Sequence, residues 1–190
     1  MDTTPLSHDS FFKKAMLNKK VAKDFFKAHL PAYLLEKANL NTLRVEKDSY
    51  IDEELGKGVV DMLFSVKIGD EKGYLYLLLE HQSTCDYWMS FGLYKYILRI
   101  CGAPLKEHSK SKHLPFVYPL VLYTGSGKYT APLDLWGLFK DRELAKKVYT
   151  EPFQLIDTQK IDDNEMLERP WSGIMEYFLK YVRKGNLQPF

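Results

Sequence analysis

The sequence predicts a mixed α/β fold in which helices cover the faces of one β-sheet. Apolar residues recur at a helical period up to Asn41 and at a strand-like period after it. Three strand-like runs are followed by a helical pattern, a further strand and a mixed tail, so the order is α-β-β-β-α-β. That order is typical of a mixed sheet flanked by helices.

Size, composition and charge fit one medium-sized globular protein. The chain has 190 residues, of which 45% are hydrophobic and 27% are charged. No apolar run approaches the roughly 18 residues that a membrane span requires, and residues 1–8 lack a secretory signal pattern. Cys85 and Cys101 have no CxxC spacing and are expected to be reduced thiols. The expectation is a cytoplasmic protein without membrane association, and the net charge of +2 favours no class of partner.

Three helices are predicted at the amino-terminal end. Ser7 can cap a helix whose apolar stripe begins at Phe11. A second helix covers about residues 18–29, and Pro31 starts a short third helix that ends near Ala38. Lysines crowd this region, which predicts either solvated helix faces or patches that bind phosphate.

Three strands are predicted next. Residues 42–51 alternate loosely, whereas residues 58–68 place their apolar side chains on one face. The turn at residues 69–73 leads into a third strand over residues 74–82, nearly all of it apolar until its end. A continuous apolar run of this kind is typical of a strand that is buried on both faces.

The second half begins with a predicted amphipathic helix over residues 86–101. A polar loop over residues 104–113 separates it from a strand over residues 116–124, in which Pro119 predicts a bulge or a partly unpaired position. The tyrosines and phenylalanines lie mostly at core periodicity, so they are predicted to pack in the core rather than to stack on bases.

The tail is predicted to hold a short helix over residues 133–139, a strand near residues 148–156 and a final amphipathic helix over residues 171–182. Residues 1–157 are expected to form the main domain. Residues 158–190 are expected to form a helical extension that packs on the same domain.

The predicted hairpin carries the residues with chemical potential. Asp61 lies on the strand face opposite the apolar residues, where a carboxylate costs burial energy unless it is paired or bound to a cation. Glu80 and Gln82 close the next strand and share one face, because side chains alternate with period two. A hairpin centred on residues 70 and 71 places Asp61 nearly opposite Glu80, with Cβ atoms about 4.5–5.5 Å apart.

Two carboxylates at that spacing raise each other's pKa unless a divalent cation lies between them. Such oxygen ligands suit Mg²⁺, which keeps several waters for substrate phosphates and can activate a water for phosphodiester hydrolysis. The alternative is that each carboxylate is separately solvated or ion-paired at a strand end. The residues alone leave both interpretations open.

Four motifs in order resemble the Rpn family of recombination-promoting nucleases, which are also classed with transposases. They are HDSFFK at residues 8–13, VDMLFSV at 60–66, EHQS at 80–83 followed by Asp86 and Met89, and VLYTG at 121–125. The resemblance covers about residues 7–157. It implies a restriction-endonuclease-like PD-(D/E)XK core and a DNA endonuclease that depends on Mg²⁺, or on Mn²⁺ in its place, associated with recombination or mobile elements.

The resemblance also implies roles for individual residues. Asp61 and Glu80 would be the catalytic, metal-binding acids, and the main-chain carbonyl of His81 would be a further ligand. Gln82 would position water or phosphate, at a place where the wider superfamily usually has lysine. The remaining candidates are His8 and Asp9 as supporting residues, and Lys13, Lys95 and Arg99 as contacts to the DNA backbone.

Two departures from the family pattern motivate an alternative function. Gly92 stands where the family often has an arginine, and family members run longer than this chain. The alternative is a catalytically weak member of the same fold that binds DNA or protein. DNA is the expected partner, and a homodimer is left open.

Overall fold

The computed structural model describes residues 8–46, 59–80, 85–107 and 112–182. The chain divides into two compact units, Met1–Arg142 and Glu143–Phe190. The boundary expected at residue 157 lies inside the second unit, and the packing of the extension on the main domain stays a prediction. Within the described ranges, no helix combines the length and the apolar character that crossing a bilayer demands.

Three short helices open the first unit: α1 (His8–Leu17), α2 (Lys19–His29) and α3 (Ala32–Leu35). Asn18 caps α2, because its side-chain oxygen accepts a hydrogen bond from the Lys20 N–H at 3.0 Å. Pro31 precedes α3 with the extended backbone that its fixed φ favours. The three predicted helices are confirmed, and the predicted cap at Ser7 lies outside the described residues.

Four strands form one sheet in the order β1-β2-β3-β4. They are β1 (Ala38–Val45), β2 (Val59–Ile68), β3 (Glu71–Glu80) and β4 (Val117–Tyr123). The first three are antiparallel, whereas β3 and β4 are parallel, so the predicted mixed sheet is confirmed. As predicted, β3 is an internal strand, buried from Gly73 to Glu80. β1 begins before the predicted residue 42, and its predicted end at residue 51 lies outside the described residues.

The turn between β2 and β3 is shorter than predicted. Ile68 already pairs with Glu71, so only Gly69 and Asp70 form the loop, and Gly69 adopts φ 60°. Asp61 therefore pairs with Leu78, and Glu80 pairs with Val59. The predicted direct pairing of Asp61 with Glu80 is wrong: they are diagonal neighbours on one face, a relation that separates Cα atoms by about 7–8 Å.

Helices cover both faces of the sheet. On one face, α1 and α2 bury Phe12, Met16 and Phe26 against Phe64 and Leu77. On the other face lies α4 (Met89–Glu107). Its buried residues Met89 and Ile100 belong to one cluster with three strand residues, Leu63, Tyr76 and Leu78. The sheet is thus the middle layer, and Asp61 and Glu80 face α4.

Two proline positions differ from the prediction. α4 continues through Pro104 to Glu107, although a loop was expected from residue 104. Pro104 has no N–H, so it leaves the Ile100 carbonyl without its intrahelical donor, and the helix continues for only three residues beyond it. Pro119 pairs with Tyr76 in an unbroken β3–β4 register, so the predicted bulge is wrong. Proline is tolerated there because β4 is an edge strand.

The regular elements described after β4 are all helical. The predicted helix over residues 133–139 is a 3₁₀ turn, Leu135–Leu138, capped by the Asp134 side chain. The strand predicted near residues 148–156 is wrong, because Leu144, Ala145 and Val148 share helical spacing and form α5 (Arg142–Thr150). In the second unit, α6 (Asp163–Leu167) is a short helix that was not predicted individually, whereas α7 (Ser172–Tyr181) confirms the final helix.

Close packing of α6 on α7 gives a stability prediction. A methyl group at Gly173 would overlap the Met166 carbonyl oxygen, whereas one at Gly102 on α4 would meet nothing within 4 Å. We expect Gly173→Ala to destabilise the protein by about 1–3 kcal/mol or more. Gly102→Ala, the matched control, should stabilise it by about 1 kcal/mol through helix propensity. Urea unfolding of both variants tests this, and equal midpoints would contradict it.

Candidate functional site

The site is built where β2 and β3 present two carboxylates to α4. Asp61 is half-buried near the start of β2, and Glu80, at the end of β3, is only 1% exposed. Both side chains point to the α4 face because Leu78, the partner of Asp61, is two residues from Glu80. The structure therefore brings the two predicted acids together on one face.

Among the described residues, one donor bonds the Glu80 carboxylate, and one of its two oxygens is left orphaned. Its Oε1 accepts a hydrogen bond from the Asp86 N–H at 2.7 Å. Its Oε2 is buried and has no hydrogen-bond partner among the residues that the structure describes. A buried acceptor in that state costs free energy, which a cation would recover. Because a carboxylate pair with an open lone pair fits a hard divalent cation, Asp61 and Glu80 are the residues that could hold Mg²⁺ or Mn²⁺.

Tyr76 supports Asp61 from within the sheet. Its hydroxyl donates a hydrogen bond to Asp61 Oδ2 at 3.2 Å, and its side chain is fully buried. Burial, followed by the negative charge of Asp61, raises the pKa of Tyr76 well above its usual range. Tyr76 therefore stays a hydrogen-bond donor at neutral pH. The centroid of the Tyr76 ring lies 5.7 Å from that of the Tyr96 ring on α4. This contact limits sideways movement of the Tyr76 hydroxyl.

Tyr129 also belongs to this neighbourhood, and sequence reasoning missed it. Burial raises its pKa to about 12, and the charges of Glu80, Cys85 and Asp86 add to the shift. Cys85 Sγ lies 3.3 Å from Thr130 Oγ1, which ties the chain after β3 to the segment after β4. No spacing rule links Tyr129 to Glu80, because their proximity depends on the parallel β3–β4 pairing.

Comparison with known proteins gives the family. Residues 6–190 match the family described as "Putative transposase, YhgA-like". The chain belongs to this family. No solved structure matches it.

Several known proteins are about one third identical to the chain over the region in which they align with it. Recombination-promoting nuclease RpnC of Escherichia coli (strain K12) is 35% identical over 188 residues, which are 97% of this chain and 61% of the relative. Recombination-promoting nuclease RpnD of Escherichia coli O157:H7 is 34% identical over 97% of this chain and 71% of its own length. "Inactive recombination-promoting nuclease-like protein RpnE" of strain K12 is 35% identical over 97% of this chain and 62% of its own length. The chain thus spans about three fifths of the length of RpnC and RpnE.

The other predicted site residues fall into three groups. Lys95 and Arg99 lie exposed on α4, the helix that covers the acids. Lys13 is exposed on α1, which packs on the opposite face of the sheet. The remaining four are not placed: the side chains of His8 and Asp9 in the first turn of α1, and the whole of His81 and Gln82, lie outside the described residues. Their roles stay predictions.

The described residues also bear on the metal and aromatic predictions. They contain no group of three or more His, Cys, Asp or Glu side chains that could hold a metal ion. Among the described residues, Asp61 and Glu80 are therefore a pair without a third side chain of these types. The two cysteines are free thiols, as predicted. Tyr87, two residues before α4, and Phe91 and Tyr94 on α4 are exposed, so the prediction of core packing is wrong for these three aromatic residues.

The bond from Tyr76 to Asp61 gives the second prediction. Tyr76→Phe keeps the ring in its packing but removes the donor, so we expect Mg²⁺ or Mn²⁺ affinity to fall roughly 10–100-fold. Stability should fall by about 1–3 kcal/mol, the cost of a lost bond to a charged acceptor. Titration calorimetry with the metal measures the affinity. Tyr74→Phe, on the same strand and face, is the control, and an equal loss of affinity there would contradict the prediction.

Proposed function

We propose that the chain is a metal-dependent DNA endonuclease that hydrolyses phosphodiester bonds in recombination or in the movement of mobile elements. The observation that carries the proposal is the orphaned, buried Oε2 of Glu80 on the same sheet face as Asp61. The names of RpnC and RpnD support a nuclease. A PD-(D/E)XK core is part of the proposal, supported by the order of elements and by acids on adjacent strands.

The chain's own residues would divide the work as follows. Asp61 and Glu80 would hold Mg²⁺, or Mn²⁺ in its place, and Tyr76 would orient the Asp61 carboxylate. The bound metal would supply Lewis acidity and an activated water at the phosphodiester. His81, through its carbonyl, and Gln82 would complete the site, with His8 and Asp9 supporting it.

DNA would be held by basic side chains, which bind phosphate without reading sequence. Lys95 and Arg99, which are exposed on α4, would contact phosphates, and so would Lys13, which is exposed on α1 on the other side of the sheet. The free thiols of Cys85 and Cys101 fit a reducing, cytoplasmic setting.

A second candidate is a member of the fold that binds DNA or protein but cleaves poorly. Gly92 favours it, since the resemblance to the Rpn family places an arginine there. Sequence identity does not distinguish an active nuclease from a protein that only binds. RpnE, whose name says inactive, is as similar to this chain as RpnC. Activity measurements must decide between them.

The acid pair gives the third prediction. Asp61→Asn and Glu80→Gln keep the acceptors for the Tyr76 hydroxyl and the Asp86 N–H but remove the charges that hold a cation. We expect each to lower metal-dependent plasmid nicking by roughly 10²-fold or more. Asp70→Asn, on the exposed hairpin turn, is the control and should cleave like the wild type.

The melting temperature with metal and the nicking activity of the wild type complete this test. Mg²⁺ or Mn²⁺ should raise the melting temperature of the wild type by mass action and leave both acid variants unchanged. Nicking that survives both substitutions would overturn the placement of the site. A folded wild type that binds metal but never nicks DNA would favour the binding-only candidate.

Gly92 gives the fourth prediction. A Cβ at this position meets nothing within 4 Å, so an arginine can be accommodated. Position 92 lies one helical turn before Tyr96, whose ring neighbours Tyr76, and helical side chains lean toward the helix start. We expect Gly92→Arg to raise the nicking rate several-fold and to stabilise α4 by about 1 kcal/mol.

Gly102→Arg is the matched control, since it adds the same charge to the same helix at another open position. It should gain stability without gaining activity. If both variants raise the nicking rate equally, the effect is general DNA attraction and the proposed role of position 92 is wrong.

A further inference from the structure

A cavity of about 350 Å³ lies between the start of α4, β4 and the segment at residues 129–133. Its walls include Met89, Leu93, Val121 and Pro132, and the described residues that line it include no charged side chain. Volume and lining are typical of a site for a small apolar group with a few polar atoms. We name it the β4 pocket.

The β4 pocket is on the same sheet face as the acids. Val121 pairs with Leu78, and Tyr123, another lining residue, pairs with Glu80. Paired strands in a sheet lie only about 4.8 Å apart, so the pocket begins one strand away from the Glu80 backbone. Asp61 lies on the other side of Glu80, on β2. Glu80 is therefore flanked by a carboxylate on one side and by the β4 pocket on the other.

Two further links connect the pocket to Glu80. The Asp86 N–H donates a hydrogen bond to Glu80 Oε1. The Asp86 carbonyl accepts a hydrogen bond from the N–H of Met89, which lines the pocket. Tyr129, another lining residue, is close enough to Glu80 to sense its charge. The ring of Tyr129 meets that of Tyr123 edge to face, with centroids 5.2 Å apart. Two aromatic rings thus border the pocket next to the acid.

Ser90 contributes to the pocket wall a buried hydroxyl that has no partner among the described residues. This residue is 3% exposed. A buried hydroxyl without a partner costs free energy that an apolar residue at that position would avoid. A ligand with a polar edge would supply the missing bond.

The chemistry of the walls selects the ligand. The charge of a phosphate would be uncompensated in a cavity that no described cationic side chain lines. A sugar has no apolar face as large as that of a nucleobase. A nucleobase has flat apolar faces, which suit aromatic and aliphatic walls, and a polar edge, which suits the Ser90 hydroxyl. We propose that the β4 pocket receives one unpaired nucleobase of the nucleotide next to the phosphodiester at Asp61 and Glu80.

The proposal rests on the proposed nuclease function and narrows its substrate class. A base inside a duplex is stacked and paired on both sides, so it reaches such a pocket only when it is unpaired or flipped out. The preferred DNA is therefore one with an unpaired base beside the cleaved bond, such as a mismatch, a gap or a single strand.

Binding without cleavage tests the pocket. In EDTA, the protein is titrated with a duplex that carries 2-aminopurine opposite an abasic site, and with the same duplex fully paired. We expect at least roughly tenfold tighter binding of the unpaired probe, with a saturable change in its fluorescence. Ser90→Ala should reduce this preference roughly five- to tenfold, the scale of one hydrogen bond. Equal affinity for both probes would overturn the proposal.

Three variants separate loss of the pocket from loss of folding and of general DNA binding. Ser90→Ala removes a hydroxyl with no described partner, so its melting temperature should equal or exceed that of the wild type. Ala131→Leu should fill the pocket and abolish the preference for the unpaired probe. Ser126→Ala, at an exposed position between β4 and the segment at residues 129–133, should keep that preference. A preference that survives in both pocket variants overturns the proposal.

The same probes separate this proposal from the nuclease function. If the unpaired probe binds in a Ser90-dependent way but neither probe is cut with Mg²⁺ or Mn²⁺, the pocket stands and the nuclease function fails. If both probes are cut at equal rates and bind equally, the nuclease function stands and the pocket proposal fails.

Discussion

Burial of the Glu80 carboxylate at the end of the internal strand β3 is the constraint on which the rest of the site depends. A carboxylate that leaves water needs compensation, and among the described residues one donor, the Asp86 N–H, reaches it and bonds one of its two oxygens. That bond joins Asp86 to the end of β3, and α4 begins three residues later. The apolar cluster of Met89 and Ile100 with Leu63, Tyr76 and Leu78 then holds α4 on the sheet face that carries the carboxylate. Incomplete compensation of a buried charge is a cost that a functional site tolerates and a purely structural core does not.

The hairpin register decides how the two acids relate to each other. Because the side-chain period of a strand is two, a shift of one residue would have moved Asp61 to the opposite face from Glu80. The observed turn at Gly69 and Asp70 shifts the register by two residues from the predicted one. The predicted face is therefore right and the predicted distance is wrong. Diagonal spacing leaves more room between the carboxylates than direct pairing does, so they repel less and a cation can lie between them.

Sequence patterns predicted the elements that bury a continuous face and failed where long-range packing decides. The alternation of β2, the apolar run of β3 and the helical period of α4 each reflect burial against a neighbouring layer, on both faces in the case of β3, and all three elements are confirmed. The segment at residues 148–156 has apolar residues that fit either period, so its helical part was mistaken for strand. Tyr129 could not be found at all, because it comes to Glu80 through a parallel pairing of strands that are distant in sequence.

Charge and shape differ on the two sides of Glu80, and this asymmetry constrains how a nucleic acid bound as proposed would lie. On the β2 side the neighbour is a second carboxylate, which repels phosphate unless a cation intervenes. On the β4 side the neighbour is an apolar cavity, which disfavours phosphate because no described charged side chain lines it. Binding of a phosphate is then favourable only where a cation joins the two acids. Binding of a base is favourable only on the β4 side of Glu80. The bound strand would therefore cross the carboxyl end of β3 from β2 toward β4, with Lys95 and Arg99 above it on α4.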